Sequence, residues 1–253
     1  KSKEDLLNDL DLKSKYYSKI LIYDGCSPLE KKIFSFFKPR RQQQFRPLVL
    51  SLMHQLDLGT LSLEKYEENM QFLYEFFICY HLIGEQNSNK IQDVVHKYSK
   101  DIENQFSLEL LDNFKKSMTD RIPNEQNFCN SIKNIRFSNH WKAYSDNRKR
   151  ENVRAIFEVL ERELGYKGDF SGCNIEHCYP DSASEENCQI GNMMLLEKPI
   201  NDKCDSKALA QKIGYYKDSA LVLPSQIEPD FSIADRNEWI AKKLHSYISS
   251  MKK

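Results

Sequence analysis

Apolar residues recur at intervals of three and four between Arg46 and Leu164. This spacing puts apolar side chains on one face of a helix, so it predicts an array of about six helices. Two of the apolar stripes are Leu63, Tyr66, Met70, Leu73, Phe76, Phe77 and Tyr80, and then Ile91, Val94, Val95, Tyr98 and Ile102. Polar breaks at 87–89 and 122–124 separate neighbouring helices. No fixed repeat period is visible, which argues against a solenoid of equal units.

The pattern changes at residues 165–172, which contain three of the eight glycines. Two short runs follow at 174–178 and 193–197, and a polar loop separates them. Runs of this length predict two brief strands. Pro199 then predicts the start of a helical stretch of about twenty residues, because proline is tolerated at an early helix position. A last helix is predicted over 233–248.

These elements predict a mainly α protein with two domains. The first is a helical domain, residues 1–164. The second, residues 165–253, has the local order strand, loop, strand, helix and ends in C-terminal helices. The longest apolar stretch is about half a membrane span, and Glu75 and His81 interrupt it, so no membrane-crossing helix and no membrane partner is expected.

Seven cysteines are scattered along the chain, and no secretory signal precedes them. An odd number of dispersed cysteines favours a reducing, cytoplasmic setting. Four of them lie within 173–204 without a pair two residues apart, so buried thiols are expected there and a structural zinc is not. The chain begins at Lys1, already within an amphipathic rhythm, which indicates a fragment of a longer protein or a processed one.

Positive and negative charges balance, at 37 each, but two stretches are locally basic. The first is 31–46, where the interleaved phenylalanines are predicted to be core residues. The second is 133–154, which includes Arg148, Lys149 and Arg150. We expect these three side chains to contact a DNA backbone in a sequence-independent, salt-sensitive manner. A solvated helix face is the alternative.

The second predicted domain brings four polar residues together, since the ends of both strands and the first helical turn converge in such a hairpin. They are Glu176, His177, Asn192 and Asn201. An imidazole can take a proton from water near neutral pH. Carboxylate and amide oxygens suit Mg²⁺, and a second amide can orient the imidazole by binding the loop around it. This set is suited to phosphodiester hydrolysis.

At these residues the chain resembles the HNH (ββα-metal) nucleases, and more closely the C-terminal HNH domain of GmrSD-type restriction endonucleases. The residues that carry the resemblance are Glu176-His177-Cys178-Tyr179-Pro180, Gly191-Asn192-Met193-Met194-Leu195-Leu196, Asn201-Asp202-Lys203, Tyr216-Lys217-Asp218-Ser219 and Ile233-Ala234-Asp235-Arg236. The helices after Arg46 resemble the region that precedes this nuclease in the family. The resemblance therefore covers most of the chain and implies a ββα-metal fold.

The resemblance implies a role for each of the four polar residues. His177 is the general base, Glu176 and Asn201 are metal ligands, and Asn192 orients His177. The implied cofactor is a divalent metal ion, Mg²⁺ first, with Mn²⁺ as an alternative that oxygen ligands also accept.

Lys203 and Lys207 are the side chains expected to touch the phosphate. Two positions depart from the family pattern. Cys178 replaces an aliphatic residue, and Glu176 stands where many HNH enzymes have aspartate. Neither change argues against an active site. The family's N-terminal nucleotide-using domain, which is an expected partner of this module, has no counterpart in the sequence.

The function that these residues predict is metal-dependent endonucleolytic hydrolysis of DNA. The biological role implied by the resemblance is that of the nuclease half of a prokaryotic, modification-dependent restriction enzyme acting against phage. Two alternatives stay open: a non-catalytic DNA-binding or regulatory module that retains the HNH scaffold, and an RNA nuclease, since the motif does not read the 2′-hydroxyl. The sequence also leaves a homodimer open.

Overall fold

The computed structural model describes residues 2–251, and this part of the chain is mainly helical with one two-stranded antiparallel sheet. The helices are α1 Lys3–Ile22, α2 Pro28–Phe37, α3 Arg46–Asp57, α4 Leu63–Phe77, α5 Gln92–Asn104, α6 Leu108–Thr119, α7 Glu125–Ile132, α8 Asn147–Glu163, α9 Lys198–Cys204, α10 Leu209–Tyr216 and α11 Ile233–Ser250. The strands are β1 Cys173–His177 and β2 Met193–Glu197. The six helices α3 to α8 confirm the predicted helical array.

The described residues form two compact units. The first comprises 2–77, 86–121 and Met251, and the second comprises 78–85 and 122–250. This division differs from the predicted one at residue 164, because α7 and α8 belong to the unit that holds the strands. α7 and α8 group with the strands because the segment between these two helices pairs with the loop between the strands. Apolar periodicity within a helix carries no information about such distant pairing.

Two backbone hydrogen bonds show this pairing. The Phe137 amide donates to the carbonyl of Cys188 at 2.9 Å, and the Ile190 amide donates to the carbonyl of Ile135 at 3.1 Å. The segment between α7 and α8 is thereby tied to the loop between the strands. Burying α8 against both strands then gives the second unit its core.

The first unit is built from α1 to α6 around the apolar stripes that the sequence shows. Met70 and Leu73 are fully buried, which confirms that their stripe is a core face. Phe34, Phe37 and Phe45 in the first basic stretch are also buried, which confirms the prediction that they are core residues, whereas Phe36 is half-buried.

The hairpin pairs Cys173 with Glu197 and His177 with Met193. Residues 193–196 are all fully buried, because α8 and α9 both pack on the two strands. A strand that is covered on both faces reads as a continuous apolar run rather than an alternating one, as β2 does. Arg154 of α8 adds a polar tie by donating to the carbonyls of Phe170 and Cys173 at the start of β1.

The helical stretch predicted from Pro199 is two helices, not one. α9 ends at Cys204, and α10 begins at Leu209. Asp205 has a φ of 38°, which breaks the helical hydrogen-bond ladder between them. With a ψ of −133°, this backbone conformation is one that glycine adopts far more readily than a residue with a side chain. This break changes the direction of the chain and lets α10 return to the end of β1.

In the described part of the chain, no helix combines the length and the apolar character that crossing a membrane requires.

Candidate active site

His177 is the last residue of β1, and its imidazole is largely buried. Its Nε2 lies 3.0 Å from the carbonyl oxygen of Phe137. Since a carbonyl can only accept, Nε2 carries the ring proton and Nδ1 carries the lone pair. The Phe137 ring stacks on the imidazole with centroids 6.0 Å apart. The structure therefore fixes both the tautomer and the orientation of the predicted base.

Burial lowers the pKa of His177, because it penalises the charged imidazolium, and the negative charge of Asp181 acts in the opposite direction. A lowered pKa keeps the imidazole neutral at pH 7, as a general base must be before it accepts a proton.

Asp181 is the electrostatic partner of this imidazole. Its Oδ2 accepts hydrogen bonds from Ser138 Oγ at 2.6 Å and from the Asn139 amide at 3.1 Å. Burial by itself raises the pKa of Asp181, but the Ser138 hydrogen bond and the charges of His177 and His140 outweigh it and lower the pKa. An ionised carboxylate here stabilises the imidazolium that forms when His177 takes up a proton.

Asn192 is fully buried and holds the loop that follows His177. Its Oδ1 accepts from the Tyr179 amide at 2.9 Å, and its Nδ2 donates at 2.8 Å to the carbonyls of Tyr179 and Asn187. The amide thus satisfies backbone groups on both sides of the loop. Its described hydrogen bonds are with this loop and not with the imidazole itself.

Glu176, the predicted metal ligand, is buried and bound to α10. Its Oε1 accepts from Lys212 Nζ at 2.8 Å and from the Tyr216 hydroxyl at 2.9 Å. Burial raises the pKa of Glu176, and the charge of Lys212 opposes this effect. Nothing in the sequence pointed to Lys212, because the pairing joins positions 36 residues apart.

The arrangement around Glu176 does not fit a divalent cation bound to that carboxylate. The Lys212 ammonium already neutralises this carboxylate at 2.8 Å, and it would repel a divalent ion bound beside it. Asn201 is the other predicted ligand, and its Nδ2 lies 3.5 Å from the Ile175 carbonyl. Within residues 2–251, no three His, Cys, Asp or Glu side chains are grouped to hold a metal ion.

The predicted substrate-binding residues lie on two separate segments. Lys203 is exposed on α9, and Lys207 follows that helix and donates to the Lys203 carbonyl at 2.6 Å. The three basic residues of the first turn of α8 are Arg148, Lys149 and Arg150. Arg148 and Arg150 are exposed, whereas Lys149 is paired with Asp146 at 3.3 Å.

The seven cysteines are all free thiols. Six of them are buried, and Cys26 is half-buried. Burial raises the pKa of Cys173 and of Cys204 to about 11, so these thiols stay protonated at neutral pH.

Comparison with protein families gives a match, which covers the strands and the residues around His177. Residues 129–248 match the family of GmrSD restriction endonucleases, C-terminal domain. The resemblance that the motifs predicted is confirmed for this segment, which we call the GmrSD-like segment. It contains both strands, Asn192, His177 and the residues that contact them. No curated protein matches the chain at a significant level.

Proposed function

We propose that the chain is a nuclease module of the HNH (ββα-metal) type that hydrolyses phosphodiester bonds of DNA in a restriction system. The observation that carries the proposal is the hydrogen bond from Nε2 of His177 to the Phe137 carbonyl, which leaves the lone pair of the imidazole on Nδ1. The match of the GmrSD-like segment to a restriction endonuclease family supports DNA as the substrate. A role against phage, and selection of modified DNA, are parts of the same proposal.

In the proposed reaction, Nδ1 of His177 takes a proton from water while the oxygen attacks phosphorus. The bond to the 3′ oxygen breaks, this oxygen takes up a proton from solvent, and the products carry a 5′-phosphate and a 3′-hydroxyl. Asp181 stabilises the imidazolium that results, and Asn192 keeps the loop after His177 in place. Lys203, Lys207 and the exposed arginines of α8 provide positive charge for the DNA backbone.

Dependence on Mg²⁺, or on Mn²⁺, stays a prediction of this proposal. The pairing of Glu176 with Lys212 does not fit a cation on that carboxylate, so no step is assigned to such an ion here.

The substrate class is tested by incubating the chain with end-labelled duplex DNA, single-stranded DNA and RNA, each with Mg²⁺, Mn²⁺ or EDTA. Cleavage of DNA that leaves 5′-phosphate ends supports the proposal. Cleavage of RNA alone identifies an RNA nuclease. DNA binding without turnover in any of these mixtures identifies a binding module and overturns the proposal.

A further inference from the structure

Helix α10 presents two polar side chains to the end of β1. Lys212 and Tyr216 are four residues apart, so they lie on the same face of the helix. Both are buried, at 2% and 1% exposure, and so is Glu176 at 5%. Buried lysines are rare unless they are paired, so a contact of this kind calls for an explanation.

Lys212 makes two hydrogen bonds at successive positions of β1. Its Nζ donates to Glu176 Oε1 at 2.8 Å and to the main-chain carbonyl of His177 at 2.8 Å. The ammonium therefore holds the backbone from which the His177 imidazole projects, while the Phe137 carbonyl holds the ring. The two contacts reach His177 from different elements and constrain different parts of it.

The Glu176 carboxylate is what keeps a buried ammonium at this place. A buried charge pair persists because each partner compensates the other, and the loss of one leaves an uncompensated charge. Tyr216 adds a third polar group by donating to the same carboxylate oxygen. Glu176, Lys212 and Tyr216 together form what we call the α10 clamp.

We propose that Lys212 is a positioning residue for His177 and takes the place beside Glu176 that the family resemblance gives to a divalent cation. The α10 clamp then acts on catalysis through the backbone at residue 177, and Glu176 is not a metal ligand. The positioning role rests on the proposed function, whereas the statement about Glu176 does not.

Metal binding by the whole chain tests the statement about Glu176 without any need for activity. Mn²⁺ binding is followed by electron paramagnetic resonance for the unsubstituted protein, Glu176→Gln and the exposed control Glu151→Gln. We expect the two variants to bind Mn²⁺ as the unsubstituted protein does, or none of the three to bind it. A loss of affinity of about tenfold or more in a Glu176→Gln variant that unfolds cooperatively, with no loss in Glu151→Gln, is typical of a disturbed metal site and would overturn the inference.

Kinetics tests the positioning role. Lys212→Met alone leaves Glu176 uncompensated and is prone to unfold, so the double substitution Glu176→Gln with Lys212→Met removes both charges together. In a double variant that unfolds cooperatively, we expect kcat to fall about a hundredfold, as for a misplaced catalytic group, with little change in KM. Unchanged kcat in the folded double variant contradicts the positioning role.

A spectroscopic readout separates this outcome from a failure of the proposed function. The signals of the His177 ring nitrogens are recorded in the ¹⁵N-histidine spectrum of the double variant. They are assigned by their absence from the spectrum of His177→Ala. We expect them to shift, and we expect Lys243→Met, on the exposed side of α11, to leave them in place. Unmoved His177 resonances in the double variant overturn the positioning role even if the chain cleaves nothing.

Discussion

The amide nitrogen of Gly191 donates a hydrogen bond of 2.6 Å to Oδ1 of Asn237 on α11. A Cβ at position 191 would lie 2.3 Å from the carbonyl oxygen of Ile233, which is closer than side-chain carbons approach other atoms. Glycine is therefore required here by the close approach of α11 to the turn that carries Asn192.

Gly191→Ala is expected to destabilise the protein by about 2 kcal/mol or more, because the clash involves backbone and cannot be relieved by a side-chain rotation. The matched control is Gly214→Ala on α10, where a Cβ meets no atom within 4 Å. That change should stabilise the helix by about 0.5–1 kcal/mol. Urea unfolding of the two variants measures both effects, and equal stabilities would contradict the close approach.

Asn192→Asp separates the two sides of the Asn192 amide. The variant keeps an oxygen for the Tyr179 amide but replaces the donor by a carboxylate oxygen that faces the carbonyls of Tyr179 and Asn187. We expect a loss of about 3 kcal/mol in stability, because the two carbonyls lose the Nδ2 donor and face a buried, negatively charged carboxylate instead. Asn152→Asp on α8 is the control. Unfolding curves that coincide for Asn192→Asp and the unsubstituted protein would show that the loop does not depend on this amide.

Glu30 gives the first unit a pH-dependent contribution to stability. Burial alone raises the pKa of Glu30, but hydrogen bonds from Lys19, Tyr66 and the Ser27 amide lower it below its ordinary value of 4.5. A lowered pKa means that the folded state binds the proton less readily than the unfolded state does. The contribution is therefore complete above the ordinary pKa and is lost as the pH falls through the folded value.

We expect Glu30→Gln to cost about 2 kcal/mol at neutral pH, since charge-assisted hydrogen bonds are lost. The difference from the unsubstituted protein should shrink as the pH falls below the ordinary pKa of 4.5 and through the lowered pKa of the folded state. Urea unfolding at several pH values measures it. The exposed Glu68→Gln is the control, and a difference for Glu30→Gln that stays constant with pH would contradict the assignment.

The exposed arginines of α8 are predicted to contribute to DNA affinity through counterion release. For Arg148→Ala with Arg150→Ala, the slope of log affinity against log salt concentration should become shallower by about 0.9 for each phosphate that the protein no longer neutralises. The paired control is Lys100→Ala with Lys116→Ala, two exposed lysines of α5 and α6. Fluorescence anisotropy with a labelled duplex at several salt concentrations gives the slopes. Equal slopes for both double variants would remove α8 from the DNA interface.

The sequence predicted the helices and strands well because their apolar periodicity is local. The predicted domain boundary at residue 164 differs from the compact units of the structure, which group α8 with the strands, since that grouping depends on pairing between residues 135–137 and the loop between the strands. The break at Asp205 was also missed, because no proline or glycine marks it.

For the site, the motif spacing predicts His177 and Asn192, and the structure places both beside the loop that follows His177. The Phe137 carbonyl, Asp181 and Lys212 could not be found in this way. The first is a backbone group, and the other two gain their roles only when distant segments fold together. The roles of Glu176 and Asn201 as metal ligands stay predictions, and the charge of Lys212 weighs against the first.

The central claim is that His177 is the general base of a DNA nuclease. It is tested most directly by nicking of supercoiled plasmid by the unsubstituted chain, His177→Ala and the control His96→Ala, which changes an exposed histidine of α5. With divalent metal present and unfolding curves matched, we expect nicking by the unsubstituted chain and by His96→Ala, and none by His177→Ala. Nicking by His177→Ala at the unsubstituted rate would contradict it.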